Sequence, residues 1–332
     1  MTRSKKLKVA IAGAGVAGAY LYRLLNKQGY QVDLFDHHPG SRCGLSPCAW
    51  GTSRGFPELV EGAGLDPKRY VMKHFGYVVM DEYRIEADLA TVNKPRLVKD
   101  LRQGANIKDS LPKVTEYDRI IDATGVSRAF LPAIQEDIIL PCVQWRIWTN
   151  IRLENRIKLG GIGFAWSFPL SRNEYHIGCG SLLSDPNKII KELGWVQSGT
   201  SKGKGEIICA CTGHVRLTGP HRSQPFVVED GTCGIWGVGE AIGCAAPLAG
   251  DGIIAGMRSA QMLVEYWNDP EGFTQAILRE FQWMKPERNV IDKLRMCKSL
   301  RINDAWVLRR NSRRMGMKVG LTEARVLLEH LC

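Results

Sequence analysis

The chain has 332 residues, of which 44% are hydrophobic and 24% are charged, and this is the composition of a globular protein with a large core. No apolar run reaches the roughly 18 residues that a membrane-spanning helix needs, so the sequence predicts no transmembrane segment. The net charge of +11 is compatible with anionic lipids, anionic substrates or nucleic acid as partners.

The most informative segment is 7–36, which predicts a strand, a glycine-rich turn, a helix and a second strand. Gly13, Gly15 and Gly18 form a G-x-G-x-x-G pattern, and Asp36 ends the second strand. In this pattern the first glycine permits a tight turn, the second lets the backbone approach a pyrophosphate, and the third lets the helix pack on the strand. A carboxylate at Asp36 can accept the ribose hydroxyls and disfavours a 2′-phosphate. The motif therefore predicts FAD or NAD rather than NADP.

The next recognisable elements predict that this dinucleotide-binding unit is interrupted and then resumed. A helical pattern covers 95–104, and an apolar strand at 117–122 leads into Ala123-Thr124-Gly125. The strand is the kind of buried element that continues a parallel sheet.

The middle of the chain is dominated by strand patterns. Residues 143–183 and 207–228 contain short runs rich in aromatic and β-branched residues between turn residues, which predicts an antiparallel sheet. A buried strand follows at 233–239, and helical periodicity continues from about Gly252 to the end of the sequence.

These elements predict an α/β fold with an α+β insert, and their order resembles the layout of two-domain flavoproteins. That resemblance implies a Rossmann-type FAD-binding domain, an inserted antiparallel-sheet substrate domain and a helical C-terminal region. The predicted boundaries are 1–60, 95–142 and 230–270 for the FAD-binding domain, 61–94 and 143–229 for the substrate domain, and 271–332 for the helical region.

Three further segments carry a family resemblance. Segment 120–125 resembles the strand-plus-ATG element of FAD-dependent oxidoreductases, and segment 237–253 resembles the second FAD fingerprint of those enzymes. Segment 163–170 resembles the aromatic-Trp-x-Phe-Pro strand of geranylgeranyl reductases. Together with the Cys43-Gly44 pair, these motifs resemble the geranylgeranyl reductase family, a branch of the p-hydroxybenzoate-hydroxylase-like flavoproteins. The resemblance covers about residues 5–270.

The resemblance implies FAD as the cofactor and NAD(P)H or ferredoxin as the reductant. In the second fingerprint an acid holds the ribityl chain, and here Glu240 stands where most relatives have Asp. The candidate cofactor-binding residues are Gly13, Gly15, Ala17, Gly18, Asp36, Arg42, Arg96, Ala123, Thr124, Gly125, Gly239, Glu240, Pro247, Gly250, Asp251, Gly252 and Ile253.

The same resemblance suggests a substrate cavity and a catalytic thiol. Trp166 and Phe168 alternate along a strand and share one face, so with Pro169 they are predicted to line the cavity, although a plain core is the alternative. Cys43 and Cys48 are candidate proton donors or flavin-proximal thiols, with small buried core residues or a disulfide pair as alternatives.

For two histidines and one cysteine pair, a structural role is favoured over a catalytic or metal-binding role. His176 and His214 are candidate acids or bases, but a lone histidine on a strand is more often structural. Cys209-Ala-Cys211 lacks the spacing of a zinc pair, so no metal site is predicted.

The function implied by the resemblance is reduction of C=C bonds in a prenyl, geranylgeranyl-type lipid or related isoprenoid. Reduced flavin supplies the hydride, and a nearby acid protonates the other alkene carbon. Two alternatives stay open: a flavin-dependent monooxygenase of a small aromatic or quinone-like substrate, and a non-catalytic flavin redox sensor.

The basic end of the chain suggests a membrane partner. On a helix, Arg309, Arg310, Arg313 and Arg314 form a stripe beside Trp306 that can lie on an anionic membrane, with a solvated basic face as the alternative. Nucleic acid is not expected, because no aromatic and basic platform accompanies the stripe. Ten cysteines without a secretory signal predict a cytoplasmic location, peripheral at the inner membrane face. The oligomeric state is left open.

Overall fold

The computed structural model describes residues 7–36, 48–196, 205–229, 231 and 233–331. Its strands are β1 (Val9–Ala12), β2 (Val32–Phe35), β3 (Gly51–Thr52), β4 (Val71–Met80), β5 (Tyr83–Val92), β6 (Ile107–Lys108), β7 (Arg119–Asp122), β8 (Ile139–Trp148), β9 (Arg156–Leu159), β10 (Phe164–Pro169), β11 (Glu174–Gly180), β12 (Glu206–Arg216), β13 (Val227–Glu229) and β14 (Gly234–Gly237). Its helices are α1 (Val16–Lys27), α2 (Phe56–Gly62), α3 (Lys94–Leu101), α4 (Pro186–Leu193), α5 (Ile253–Glu265), α6 (Pro270–Glu280), α7 (Met284–Arg295), α8 (Ile302–Arg314) and α9 (Leu321–Glu329).

The first sheet has the strand order β13-β14-β7-β1-β2-β6 and is parallel except for β13. Strands β1 and β7 are buried along their whole length, because helices cover a parallel sheet on both faces. Helix α1 begins directly after the glycine turn and packs closely on it. A Cβ atom on Gly18 would lie 1.9 Å from the carbonyl oxygen of Gly13, so a side chain at Gly18 would push the helix off the strand. The Rossmann-type unit expected from the sequence is confirmed.

The second sheet has the order β12-β8-β11-β10-β9-β4-β5-β3 and is antiparallel except where β4 meets β9. The sequence patterns of 143–183 and 207–228 predict an antiparallel sheet, but no strand was predicted in 61–94, where the long β4–β5 hairpin lies. Two register shifts interrupt the β4–β5 pairing. Each shift breaks the period-two alternation by which strands are recognised.

Helix α6 packs in the core of the first sheet, whereas α7, α8 and α9 pack against the antiparallel sheet and complete a second hydrophobic core. This core joins Trp166 and Phe168 of β10 to Val290 and Leu294 of α7 and to Leu308 of α8. The helical C-terminal region is thereby confirmed, whereas the domain boundaries stay a prediction. None of the described helices combines the length and apolar character needed to cross a membrane.

Candidate active site

A cavity of about 500 Å³ connects the two sheets. At one end it is bounded by the turn after β1 and by Asp36 at the end of β2. It then passes across one face of β10, and residues of α8 and Leu331 line it there as well. Ligands of open α/β sheets bind in the crevice outside the carboxyl ends of the strands, so the first end of the cavity is the candidate nucleotide site.

The residues at this end fit a dinucleotide. A Cβ atom on Gly15 would meet no atom within 4 Å, and Gly15 lines the cavity, so the missing side chain leaves space for a pyrophosphate. No side chain caps the N-terminus of α1, whose free N–H groups favour phosphate. The Asp36 carboxylate accepts a hydrogen bond from the Ala14 N–H at 3.2 Å, and Arg102 lies 3.7 Å from its second oxygen. Asp36 is thereby held beside the glycine turn, as a ribose-binding acid requires.

The loop Ala123–Gly125 is held in place by the buried carboxylate of Asp122. One Asp122 oxygen accepts bonds from the Thr124 N–H at 3.1 Å and the Thr124 hydroxyl at 2.6 Å. The other accepts from the N–H groups of Phe130 and Leu131 at 2.9 and 3.0 Å. All three loop residues line the cavity, so a four-bonded aspartate fixes this wall.

Glu240 is positioned by Arg216, which the sequence analysis did not single out. The Glu240 carboxylate lines the cavity and accepts a 2.6 Å bond from the Arg216 backbone N–H. The Arg216 guanidinium donates to the carbonyls of Glu240 at 2.8 Å, Gly125 at 3.1 Å and Val126 at 2.7 Å, and it pairs with Asp137 at 3.0 Å. Burial raises the pKa of Glu240, although Arg216 opposes the shift. A single arginine therefore ties together two of the loops expected to hold the flavin.

The loop before α5 forms the opposite wall. Residues 248–253 line the cavity, whereas Pro247 is buried behind them. The Asp251 carboxylate accepts a 3.1 Å bond from the Ile253 N–H, and burial raises the pKa of Asp251 to about 6. Gly239 does not line the cavity but packs on Ala17, since a Cβ atom on Gly239 would lie 2.7 Å from the Ala17 Cβ.

The apolar part of the cavity runs along β10. Phe164, Trp166 and Phe168 occupy alternate positions of this strand, and all three line the cavity. Because a strand rises ~3.3 Å per residue, the row spans about 13 Å. Pro169 lies outside the cavity, where its carbonyl accepts a 2.6 Å bond from the Thr91 hydroxyl.

The two ends of this row differ in what they touch. A Cβ atom on Gly51 would lie 3.7 Å from the Phe168 ring, and a Cβ atom on Gly55 would lie 3.8 Å from Ile254 of α5, so this end of the row lies on the side of α5. At the other end Phe164 pairs with Leu159, and the Ile162 N–H donates to the Leu331 carbonyl at 2.6 Å. Leu331 therefore lines the cavity near the Phe164 end of the row.

The opposite side of the apolar part is one face of α8. Leu308, Asn311, Ser312 and Met315 line the cavity, and their i, i+3, i+4, i+7 spacing is that of a single helical face. The predicted substrate cavity comprised residues of β10 alone and did not include this helix.

Of the predicted cysteines and arginines, the structure describes Cys48 and Arg96, and only Cys48 lines the cavity. Arg42 and Cys43 lie outside the described residues. Cys48 lines the cavity, and its sulfur accepts a bond from the Trp50 N–H at 3.4 Å. Arg96 is exposed on α3 and does not reach the cavity, whereas Lys94, two residues earlier, is buried and lines it. Residues two apart on a helix point about 200° from each other, so the docking of α3 selects the lysine.

Of the two candidate histidines, only His214 lines the cavity. His176 is buried away from it, with its ring 4.4 Å from that of Trp50 and Nδ1 3.4 Å from the Ala49 carbonyl. Burial lowers the pKa of His176 to about 3, so it is a neutral structural residue near pH 7.

The chain is similar to several known proteins. Residues 11–46 match the family model of an NAD(P)-binding Rossmann-like domain. The chain is 23% identical over 341 residues to an uncharacterised protein of Methanocaldococcus jannaschii, covering 86% of this chain and 90% of that protein. The crystal structure of a geranylgeranyl bacteriochlorophyll reductase-like protein from Thermoplasma acidophilum matches with a TM-score of 0.68 and 19% identity, covering 98% of this chain and 95% of that chain. A probable FAD-dependent monooxygenase from Pseudomonas aeruginosa matches with a TM-score of 0.59 and 16% identity, covering 91% of this chain and 99% of that chain.

These likenesses establish the fold. The chain has the same fold as the reductase-like protein and the probable monooxygenase. The fold implied by the sequence motifs is therefore confirmed.

Proposed function

We propose that the protein is an FAD-dependent reductase that reduces C=C bonds in the prenyl chain of a lipid or related isoprenoid. The observation that carries the proposal is the continuity of one cavity. It contains Gly15 and Asp36, which suit a dinucleotide, and it extends along the aromatic row of β10 from Phe168 to Phe164, which suits a hydrocarbon chain. A pocket that is mostly apolar, with a few polar groups, is the usual form of a small-molecule site.

The residues of this chain have distinct roles in the proposed reaction. Bound FAD, recharged by NAD(P)H or ferredoxin, supplies the hydride. The protein excludes water and provides a proton, which an isolated alkene needs because it is a poor electrophile. Among the described residues, Cys48 and Asp251 line the cavity as candidate proton donors. Asp251 keeps its proton up to about pH 6 because burial raises its pKa to about 6.

Two buried polar atoms of residues that line the cavity favour a substrate that carries one hydrogen-bonding group. Gln144 and Trp166 both line the cavity, and within the described part of the chain the Gln144 Oε1 and Trp166 Nε1 atoms have no hydrogen-bond partner. The two residues lie at one level of the sheet, since both pair with Gly178. Buried polar groups are normally satisfied, so a substrate hydroxyl, which donates to the Gln144 Oε1 and accepts from the Trp166 Nε1–H, would complete this pair.

The proposal is tested by anaerobic reoxidation of the flavin. We expect the FAD-loaded protein, reduced with dithionite, to recover its oxidised absorbance when geranylgeraniol is added. The product should be heavier by two hydrogens for each bond reduced. The saturated alcohol should leave the flavin reduced. The hydrocarbon without the hydroxyl should bind more weakly, since it leaves Gln144 and Trp166 unpaired.

Two other results would replace the proposal. Reoxidation by oxygen alone, with hydroxylation of an added aromatic compound, would favour a monooxygenase, the class to which a protein of the same fold is assigned. Tightly bound flavin with neither reaction would favour a redox sensor.

A larger side chain near the Phe164 end of the cavity should alter the selectivity for substrate chain length. Leu331→Trp is expected to weaken binding of geranylgeraniol by roughly tenfold, because a larger side chain at a packed position costs about 1–3 kcal/mol. Binding of the shorter geraniol should change less than about twofold, since it need not reach this end. Perturbation of the flavin absorbance on titration measures both affinities without requiring turnover.

The matched control is Leu183→Trp, the same substitution at a side chain that is 60% exposed. This variant should bind both alcohols like the unmodified protein. Equal weakening of both chain lengths by Leu331→Trp would show that Leu331 does not limit the channel, whether or not the protein is a reductase.

A further inference from the structure

The turn between α7 and α8 and the outer side of α8 expose large apolar side chains. Met296 is 62% exposed, Ile302 54% and Trp306 40%. Ile302 and Trp306 are four residues apart, so they lie on the same side of α8. Clustered exposed apolar side chains mark a site of interaction. We call the exposed side chains of 295–313 the basic apolar face.

This face carries a strong positive charge. Residues 293–314 contain eight Lys or Arg residues and a single carboxylate, Asp304. Asp304 is buried and accepts a 2.6 Å bond from Lys293, so it contributes no exposed negative charge. The exposed cations are Arg295, Lys298, Arg301, Arg310 and Arg313.

The structure changes the membership of the stripe expected from the sequence. Arg314 is directed inward, where its guanidinium lies 2.9 Å from the buried carboxylate of Glu287 and 3.6 Å from the ring centre of Trp283. Arg309 lies over the Trp306 ring at 4.8 Å. The outward-facing cations are therefore spread from the α7–α8 turn along α8, rather than being confined to the end of α8.

The opposite side of α8 lines the active-site cavity through Leu308, Asn311, Ser312 and Met315. One helix thus separates the cavity from the basic apolar face. A partner bound to this face would lie next to the apolar part of the cavity.

We propose that the basic apolar face docks on an anionic lipid bilayer. The Met296, Ile302 and Trp306 side chains enter the headgroup region, and the surrounding cations meet lipid phosphates. This combination of apolar insertion and basic charge is how interfacial helices bind membranes. Nucleic acid would neutralise the charge but would leave the Met296 and Ile302 side chains in water. The proposal is independent of the reaction proposed above.

Vesicle sedimentation of the FAD-loaded protein tests the docking. We expect binding to vesicles of phosphatidylcholine and phosphatidylglycerol and little binding to phosphatidylcholine alone. The triple variant Arg301→Gln, Arg310→Gln, Arg313→Gln should bind anionic vesicles on the order of a hundredfold more weakly. The double variant Ile302→Ser, Trp306→Ser should lose at least about tenfold, because it removes the inserted apolar area.

Matched controls place the same changes elsewhere. Lys68, Lys99 and Arg325 are exposed cations outside the face, and their triple Gln variant removes the same charge. Leu183→Ser removes an apolar side chain that is 60% exposed. Both controls should bind anionic vesicles within about threefold of the unmodified protein, since a distant charge acts only through the screened overall field.

Three results would overturn the proposal. The first is equal binding to neutral and anionic vesicles, and the second is equal losses in the face variants and their controls. The third is loss of vesicle binding only for the cation variant, together with duplex DNA that displaces the vesicles, which would point to a phosphate-binding surface of another kind. Bound flavin and an unchanged thermal midpoint show that each variant is folded.

Discussion

Replacing Gly15 by valine is expected to abolish FAD retention while leaving the protein folded. The position has an ordinary backbone conformation, and a Cβ atom there meets nothing within 4 Å, so the valine side chain fits the cofactor-free protein. It would occupy the space that a pyrophosphate needs beside the N-terminus of α1. We expect purified Gly15→Val to show no flavin absorbance and no recovery of it when FAD is added.

Two comparisons make this result specific. Gly76→Val introduces the same side chain at an exposed strand position where the nearest atom is 3.9 Å away, and it should retain FAD. Gly18→Val should fail to fold, since its Cβ would lie 1.9 Å from the Gly13 carbonyl oxygen. A Gly15→Val protein that carries a full complement of flavin would show that the cofactor does not pass over this turn.

Removing the guanidinium of Arg216 should have the second large effect. The Arg216 residue is 3% exposed and donates to three carbonyls as well as to Asp137. Arg216→Met keeps much of the packing but leaves these acceptors without their donor. Breaking a buried ion pair in this way costs about 3–5 kcal/mol, and we expect that loss in the free energy of unfolding of the FAD-free protein in urea. FAD affinity should fall as well, since the loops at Gly125 and Glu240 are no longer joined.

Arg222→Met is the matched control for this variant. Its guanidinium pairs with Glu136 near the surface, and exposed ion pairs contribute about 0–1 kcal/mol. Adding Asp137→Asn to Arg216→Met should recover part of the lost stability, because the unpaired carboxylate is then neutral. If Arg216→Met were as stable as Arg222→Met and bound FAD normally, Arg216 would have no role in organising the site.

The buried Glu287 links the active site to the helices that cover it. Its carboxylate accepts bonds from Asn311 at 3.0 Å and Arg314 at 2.9 Å on α8, and from the Leu248 N–H at 3.5 Å. Burial raises the pKa of Glu287, although Asn311 and Arg314 oppose the shift. The wall that α8 contributes to the cavity and the loop before α5 are thus held in one arrangement by the same side chain.

The residues that line the candidate nucleotide end of the cavity were largely recognisable from the sequence. Gly13, Gly15 and Gly18 act through backbone geometry within one turn and one helix, so their roles depend on local spacing alone. The alternation of Trp166 and Phe168 is local in the same sense, because side chains two apart on a strand share a face. The structure places both on the cavity wall.

Other parts of the site depend on contacts between distant segments. The Arg216 side chain reaches Gly125, 91 residues away, and no local pattern marks it. The hairpin of 71–92 was not identified because register shifts interrupt its alternation. The α8 wall of the cavity was not predicted, since an amphipathic pattern shows which face of a helix is apolar but not what that face meets.

The sequence by itself determined the Rossmann-type unit, the inserted antiparallel sheet and the helical region, because turn chemistry and hydrophobic periodicity act over a few residues. Only the tertiary structure decided that Lys94 rather than Arg96 lines the cavity, that Leu331 also lines it and that Arg314 turns inward to Glu287. Each of these depends on how a helix or a chain segment docks against parts of the molecule far away in sequence. Docking is determined by the packing of the whole core rather than by any local pattern.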